Sequence, residues 1–438
     1  MKSYSFRLLF LLNLCVVMSL KAQEIKRASP NIILIMADDL GFETLGINGA
    51  DEYQTPNLDK LAKEGMNFTQ TYAMPLCTPS RVQIMTGKYN FRNYIGFGLL
   101  KKGEPTFADY LKEMGYHTFV AGKWQLYGNA GQHKLAGGKI GALPEEAGFD
   151  EYFLWQVKQL GSRYKDPLIS SNAGTQTYEG KYGPDLFTEQ VNLFMEKNKS
   201  EPFFIYYPMA ITHDPFVPTP DNPAFEDFDS KSKTNDPIYF AEMVNYMDKL
   251  IGSIVDKTEE LGIREKTLIL FVGDNGTDRK VTTSQFGKAI KGDKGFTTTA
   301  GTHVPFIANW KGKIKPGSTN DNLIDFTDFL PTLLETAHFT NPEIANSDGL
   351  SFYPQLLGDN SKKREWIYSY YAPNWGNFEN STYAQDKEWK LYDDGRIYSL
   401  LDDPLEQNSI SKINLPASVQ IKISKLEAVL SRFDTAEY

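Results

Sequence analysis

The sequence predicts an α/β protein with a large, mostly parallel sheet covered by helices on both faces, followed by a small C-terminal α+β subdomain containing an antiparallel sheet. Three observations carry this. Residues 31–37, 203–210 and 267–272 are continuous apolar runs rich in β-branched or aromatic residues, without polar alternation. That is the pattern of strands buried on both faces. Between them lie segments that open on Ser, Thr, Asp or Pro and stop at Gly, as helices do. Beyond about residue 360 the pattern changes to short aromatic stretches that read as antiparallel strands.

At the N-terminus, Lys2 and Arg7 precede the apolar run 8–20, and Lys21-Ala22-Gln23 follows it. This reads as a secretory signal, residues 1–22, cut near Ala22. The expectation is an exported protein, periplasmic or extracellular. The run is short for a membrane span, and no later run is long enough for one. Cys15 lies in this segment, so Cys77 is the single cysteine expected in the mature chain and can form no internal disulfide.

The first strand, 31–37, ends in Asp38-Asp39. Adjacent carboxylates at the end of a buried strand are costly unless paired or metal-bound, and ligands gather at the carboxyl ends of such strands. A solvated loop pair or a helix cap would use the same residues. Thr55 is read as N-cap and Pro56 as first residue of a helix that Gly65 stops. A short strand over 67–73 delivers the chain to Cys77. A helix over 79–86 then starts at Pro79 and stops at Gly87, which leaves Cys77 just ahead of a helix N-terminus, where negative charge is favoured. A capped helix over 106–114 leads to a strand over 117–121 and on to Gly122-Lys123-Trp124-Gln125. His117 and His133 read as structural or solvent-exposed. Residues 128–184, rich in Gly, Asn, Lys and Tyr with weak periodicity, read as long substrate-facing loops.

The strand 203–210 ends at Thr212-His213-Asp214-Pro215, and 236–261 reads as a long amphipathic helix. The strand 267–272 ends at Gly273-Asp274-Asn275-Gly276, which is turn chemistry but also a carboxylate and an amide oxygen, both ligands for a hard cation. A basic run follows: Arg279, Lys280, Lys288, Lys291 and Lys294. The fourth strand is 304–309. The domains expected are 23–360, catalytic, and 361–438, with strands over 366–371, 383–392 and 397–400 and a helix over 417–433. Trp375 and Phe378 lie in a loop able to reach the mouth of a site.

The chain has 438 residues and a formal net charge of −9. That balance argues against a general nucleic-acid binder and against adhesion to anionic membranes. An anionic substrate would have to be drawn by a local basic cluster.

Cys77-Thr78-Pro79-Ser80-Arg81, taken with Asp38-Asp39, Lys123, His213 and Asp274-Asn275 in that order, resembles the type I sulfatases of the alkaline phosphatase superfamily, from about Pro30 into the C-terminal region. The resemblance implies an alkaline-phosphatase-like fold. It implies that a formylglycine-generating or equivalent maturation enzyme oxidises Cys77 to formylglycine, whose hydrated aldehyde is the nucleophile. It implies metal ligation by Asp38, Asp39, Asp274, Asn275 and converted Cys77, and sulfate binding and leaving-group assistance by Arg81, Lys123, His213 and Lys294. An all-oxygen shell suits calcium first and magnesium second. Where the family commonly has Gly-Lys-x-His, this chain has Gln125, which can hydrogen-bond but offers no basic site near neutral pH. Release of the product should then be slow unless His303 substitutes. Gln125, His303 and Trp375 are therefore the expected substrate-facing residues. The function expected is hydrolysis of a sulfate ester, on a sulfated small molecule or glycan. A phosphoester or phosphonate hydrolase, or a non-catalytic sulfoglycan-binding protein, are the alternatives, to which the cysteine and Gln125 respectively are open.

Overall fold

The computed structural model describes residues 29–339 and 346–433. The expected signal peptide, its cut near Ala22 and Cys15 lie outside the described residues. The strands are β1 (Asn31–Ala37), β2 (Met66–Phe68), β3 (Thr71–Tyr72), β4 (His117–Lys123), β5 (Glu151–Trp155), β6 (Leu168–Ser171), β7 (Gly174–Thr177), β8 (Phe203–Pro208), β9 (Thr267–Gly273), β10 (Thr282–Gln285), β11 (Lys288–Lys291), β12 (Phe306–Asn309), β13 (Ser318–Asn320), β14 (Ile324–Asp325), β15 (Ile367–Tyr371), β16 (Ser381–Gln385), β17 (Trp389–Tyr392) and β18 (Ile397–Ser399). Ten of them form one mixed sheet in the order β13-β2-β12-β9-β1-β8-β4-β5-β6-β7. Its centre, β9-β1-β8-β4-β5, is parallel throughout; at its flanks β12 pairs antiparallel with β9, β6 with β5, and β7 with β6.

Alternate side chains of β1 enter opposite layers. Ile33, Ile35 and Ala37 pack with the helices Gly183–Asn198 and Phe240–Glu260, whereas Ile32, Leu34 and Met36 pack with the helices Cys77–Thr86, Phe107–Glu113 and Phe329–Thr336. Both faces are apolar because both are covered, which is why the central strands carry no polar alternation.

Several local expectations change. Residues 128–184 are not loops throughout: they hold the helix Ala130–Leu135 and the strands β5, β6 and β7. All four residues of β7 are exposed, so no apolar periodicity marks it. The strand read over 67–73 is broken into β2 and β3, and that over 383–392 into β16 and β17. The Thr55 side chain does not cap its helix; its hydroxyl accepts from Gly46 N and donates to Asp59. Thr106 does cap, in a reciprocal box with Asp109. The helix of Cys77 starts at Cys77 itself, two residues earlier than expected, so Pro79 sits inside the first turn, where its missing N–H is still without cost.

Strands β15 to β18 form a four-stranded antiparallel sheet against which the helix Ala417–Arg432 packs. A buried polar cluster fastens it to the segment after Lys294. Lys390 Nζ donates to Thr297 O and, at 3.0 Å, to Glu406, whose carboxylate also accepts from Tyr392 OH at 2.6 Å and from Thr299 N at 2.8 Å. Lys390 and Glu406 have 0 % and 2 % of their side-chain surface exposed. Breaking one partner leaves a buried charge unpaired. Lys390→Met should therefore destabilise by about 3–5 kcal/mol, while Lys390→Met/Glu406→Leu should recover most of that loss. Denaturant unfolding of the two variants checks this; equal loss in both would mean the pair is not an energetic unit.

Candidate active site

The register of the parallel strands builds the site. Ala37 pairs with Gly273 at the ends of β1 and β9, so Asp38 and Asp274 emerge side by side, and Asp274 N donates to Ala37 O. Lys123 is the last residue of β4, and β8 leads through Ala210 to His213. The backbone bends sharply at these ends. Asp39 and Gln125 adopt positive φ, 60° and 49°, a cost that non-glycine residues carry where the surroundings impose it. Gly122 has φ 109°, and a Cβ there would meet Pro208 O at 2.1 Å, so only glycine lets β4 turn Lys123 toward Asp38.

The helix Cys77–Thr86 supplies the other side. Ser80 Oγ accepts from Met74 N and donates to Met74 O, Thr78 Oγ1 accepts from Gly98 N, and Pro79 O accepts from Asn90. These bonds fix the turn that presents Cys77, whose thiol donates to Gln125 Oε1 at 3.9 Å. Arg81 reaches one helical turn further and donates to Lys123 O and to Asp274 Oδ2 at 2.8 and 3.2 Å.

Three fully buried carboxylates thus meet buried cations. Lys123 Nζ lies 2.9 and 2.8 Å from the two oxygens of Asp38. Lys294 Nζ donates to Asp39 Oδ2 at 2.6 Å, and Asn275 Nδ2 donates to Asp39 Oδ1 at 2.9 Å. Burial would raise the Asp38 pKa, but Lys123, His213, Arg81 and Arg163 hold it well below the carboxylate range. Burial and the Asp38 charge push Asp274 up against the opposing pull of Arg81 and Lys123. Ligand atoms of Asp38, Cys77 and Asp274 all lie within 4.8 Å of one another, as do those of Asp38, Asp39 and His213. Asn275 Oδ1 is buried and has no hydrogen-bond partner among the described residues. A buried amide oxygen left free beside three carboxylates fits a hard, oxygen-liganded cation.

His213 faces the same cluster. Lys294 can only donate, so its contact of 3.0 Å makes Nε2 the acceptor and assigns the imidazole proton to Nδ1. That nitrogen lies 2.6 Å from Asp214 O and 3.0 Å from Asp214 Oδ1. Burial lowers the His213 pKa, and the charges of Lys294 and Lys123 add to it. Burial would lower that of Lys294, but the Asp39 carboxylate outweighs it and keeps the ammonium charged.

The structure also brings in residues that sequence reasoning passed over. Asp214 backs the His213 ring and is itself held by Lys280 at 2.8 Å and Asn235 at 3.0 Å, so Lys280 has a specific partner rather than a place in a loose basic run. Tyr164 OH donates to Ala210 O and His213 O. Arg163 NH1 lies 3.6 Å from Asp38 Oδ2. Asp214 was adjacent to a named residue and readable; Arg163 and Tyr164 lie in the segment taken for loops, and nothing in their spacing marks them.

Trp375 stacks on Phe97 with centroids 4.6 Å apart, against the cluster of Met74, Leu76, Cys77 and Tyr371. His303 is different. Its ring is stacked between Phe42 and Tyr72, and Nε2 meets Thr69 O at 3.0 Å. None of these is a residue of the cluster that packs around Cys77.

The sulfatase family model matches residues 30–339. The chain belongs to the sulfatase family. A second model, described as N-sulphoglucosamine sulphohydrolase, C-terminal, matches residues 290–432. Among sulfatases, the N-acetylgalactosamine-6-O-sulfatase of Bacteroides thetaiotaomicron is 28 % identical over 92 % of this chain and 93 % of its own length. The arylsulfatase of Hemicentrotus pulcherrimus is 29 % identical over 79 % of this chain, which spans 65 % of that enzyme. The crystal structure of Ps i-CgsB in complex with k-i-k-neocarrahexaose superposes with a TM-score of 0.74 at 25 % identity, covering 92 % of each chain.

His303 generates a measurable pH effect. Burial pushes its imidazole down to about 4, the bond to Thr69 O only partly opposing. The unfolded chain takes up this proton near 6.5 and the folded chain only near 4, so stability falls as pH drops through that window, by about 3 kcal/mol at its lower end. His303→Gln should lose this share of the pH slope in denaturant titrations between pH 7 and 4. Parallel slopes for variant and wild type would show that the ring titrates as in the unfolded chain.

Proposed function

We propose that this sulfatase hydrolyses a sulfate ester on a carbohydrate, with Cys77 converted to formylglycine by a maturation enzyme and one divalent cation, calcium before magnesium, held by Asp38, Asp39, Asp274, Asn275 and the converted residue. The observation that carries the reading is the convergence of Cys77, at the first turn of a helix, on an all-oxygen donor set containing an unpartnered Asn275 Oδ1 and flanked by Arg81, Lys123, His213 and Lys294. Cys77 Sγ marks the position of the hydrated aldehyde, which supplies the nucleophilic oxygen. The cation supplies Lewis acidity toward that oxygen and the sulfate.

The remaining chemistry belongs to the side chains. Lys123 and Lys294 donate toward sulfuryl oxygens on which charge develops. Arg81 holds Asp274 and the Lys123 carbonyl, which keeps the lysine aimed. The Lys294–His213 pair carries the proton for the departing alcohol oxygen, and Asp214 steadies the imidazole through Nδ1. Trp375 and Phe97 give an aromatic wall of the kind a sugar ring packs on. The carbohydrate assignment draws support from the relatives named for sugar sulfates and from the neighbour crystallised with a neocarrahexaose. Export after removal of residues 1–22, and the division into 23–360 and 361–438, belong to the same proposal; no helix among the described residues is long and apolar enough to cross a membrane.

Mass spectrometry of the Cys77 peptide should find the aldehyde in protein from a host that carries out the conversion. Cys77→Ala should abolish turnover of an aryl sulfate while melting like the wild type. Retained turnover in that variant would end the reading. Comparable turnover of the matching aryl phosphate or phosphonate would favour the other hydrolase class, and an unconverted Cys77 with glycan binding alone would favour the non-catalytic one.

Gln125 sits at hydrogen-bond range of Cys77 but has no basic site, and His303 is held elsewhere. Rapid mixing with a chromogenic sulfate ester should therefore give a burst near one equivalent of alcohol followed by a slow steady phase. Gln125→His should shrink the burst and raise the steady rate. A linear time course in the wild type would show that release is not limiting.

A further inference from the structure

Residues 156–167, which join β5 to β6, bring to the cluster one cation that the roles above leave unused. The Arg163 guanidinium lies over the Trp155 ring, 4.0 Å from its centroid, and Trp155 is pinned in turn by its Nε1–H to Gly161 O at 2.8 Å. The plane of the guanidinium is thus set by a rigid aromatic face. Arg163 NH1 is buried and has no hydrogen-bond partner among the described residues. Its nearest recorded carboxylate oxygen, Asp38 Oδ2, is 3.6 Å away, too far for a hydrogen bond, and already accepts from Lys123 Nζ at 2.8 Å. The side chain as a whole keeps 12 % of its surface exposed, while NH1 itself is buried.

A buried N–H of a charged group is rarely left unmade, because its desolvation is then uncompensated. Asp38 already accepts from Lys123 on both oxygens and faces Arg81 at 3.5 Å. An oxyanion oxygen from outside the chain is the acceptor that would complete Arg163 most strongly, because hydrogen bonds between charged groups exceed those to neutral acceptors.

We propose that Arg163 is a substrate-binding residue whose NH1 donates to an oxyanion oxygen of the bound ester. The inference rests on the sulfate-ester reading. A guanidinium on a fixed plane suits the oxygens of a sulfate or a carboxylate, where an ammonium would act only as a point charge. Two sources carry this chemistry: the sulfate group that is hydrolysed, and a second acidic group on the same saccharide.

Calorimetric binding of inorganic sulfate to wild type, Arg163→Gln and Arg163→Lys gives the first readout and needs no turnover. Steady-state kinetics with a monosulfated aryl ester and with a sulfated disaccharide carrying a uronate gives the second. If the scissile sulfate is the partner, Arg163→Gln should weaken inorganic sulfate and raise KM for both esters roughly ten- to a hundredfold, as for a lost hydrogen bond between charged groups. Arg163→Lys should recover only part of this. If the second acidic group is the partner, only the uronate-bearing substrate should lose, with sulfate binding unchanged. Unchanged sulfate affinity together with unchanged KM for both esters, in whichever variant folds, would overturn the proposal and leave Arg163 as a neutraliser of Asp38. A wild type that binds sulfate through Arg163 but turns over no ester would sink the hydrolase reading and not this one.

Discussion

Everything at the centre of this protein depends on holding three buried carboxylates at the ends of two adjacent parallel strands. Asp38, Asp39 and Asp274 are wholly buried. Isolated buried carboxylates would protonate or unfold their surroundings. Against burial, Lys123, His213, Arg81 and Arg163 hold Asp38 well below the carboxylate range, whereas burial and the Asp38 charge push Asp274 up; Arg81, Lys123 and Lys294 are delivered to the three carboxylates from a helix, a strand end and a loop that are distant in the chain. The ion pairs need not add net stability, since desolvation offsets most of the attraction. What they do is fix where each cation points, and the same cations surround the place the proposed anionic substrate would occupy.

This constraint gives the C-terminal sheet a part in the site. Lys294 stands between Asp39 and His213, and the chain just after it is gripped from that sheet. Tyr371 OH donates to Gly295 O, and Lys390, Tyr392 and Glu406 hold Thr297 and Thr299. Gly295 itself has φ 93°, and a Cβ there would meet the Phe378 ring at 2.2 Å. The aromatic strands of the C-terminal subdomain are a support for the loop that carries Lys294. A second buried network does the same for the helix of Cys77: Gln83 donates to Asp325, while Arg364, next to the first C-terminal strand, holds Asp328, Thr327 and Tyr89.

The proton relay shows how burial and pairing divide the work. Desolvation lowers the His213 pKa, which by itself would make it a poor acid. Its Nε2 is in contact with a lysine that Asp39 keeps charged, and its Nδ1 faces Asp214, which the hydrogen bond to His213 and then Lys280 and Asn235 hold ionised. In the proposed reaction the proton is thus shared by a chain of groups rather than held by one residue. Removing any one of them changes the others.

The sequence by itself determined the central strands, because double burial demands unbroken apolar runs, and it determined the residues at their ends, because charged residues directly after such runs have few structural uses. Asp38, Lys123, His213 and Asp274 were legible for that reason, and Cys77 to Arg81 through its pentapeptide. Only the tertiary structure decided the rest. The flank strands β6 and β7 are polar and partly exposed, so no periodicity announced them. Arg163 and Asp214 reach the cluster through contacts with residues far away or against the His213 ring, neither of which spacing encodes. His303 has the right residue type near the right motif, yet Phe42, Tyr72 and the Thr69 carbonyl hold it in an apolar slot. Residue type sets what a side chain can do; packing decides what it faces.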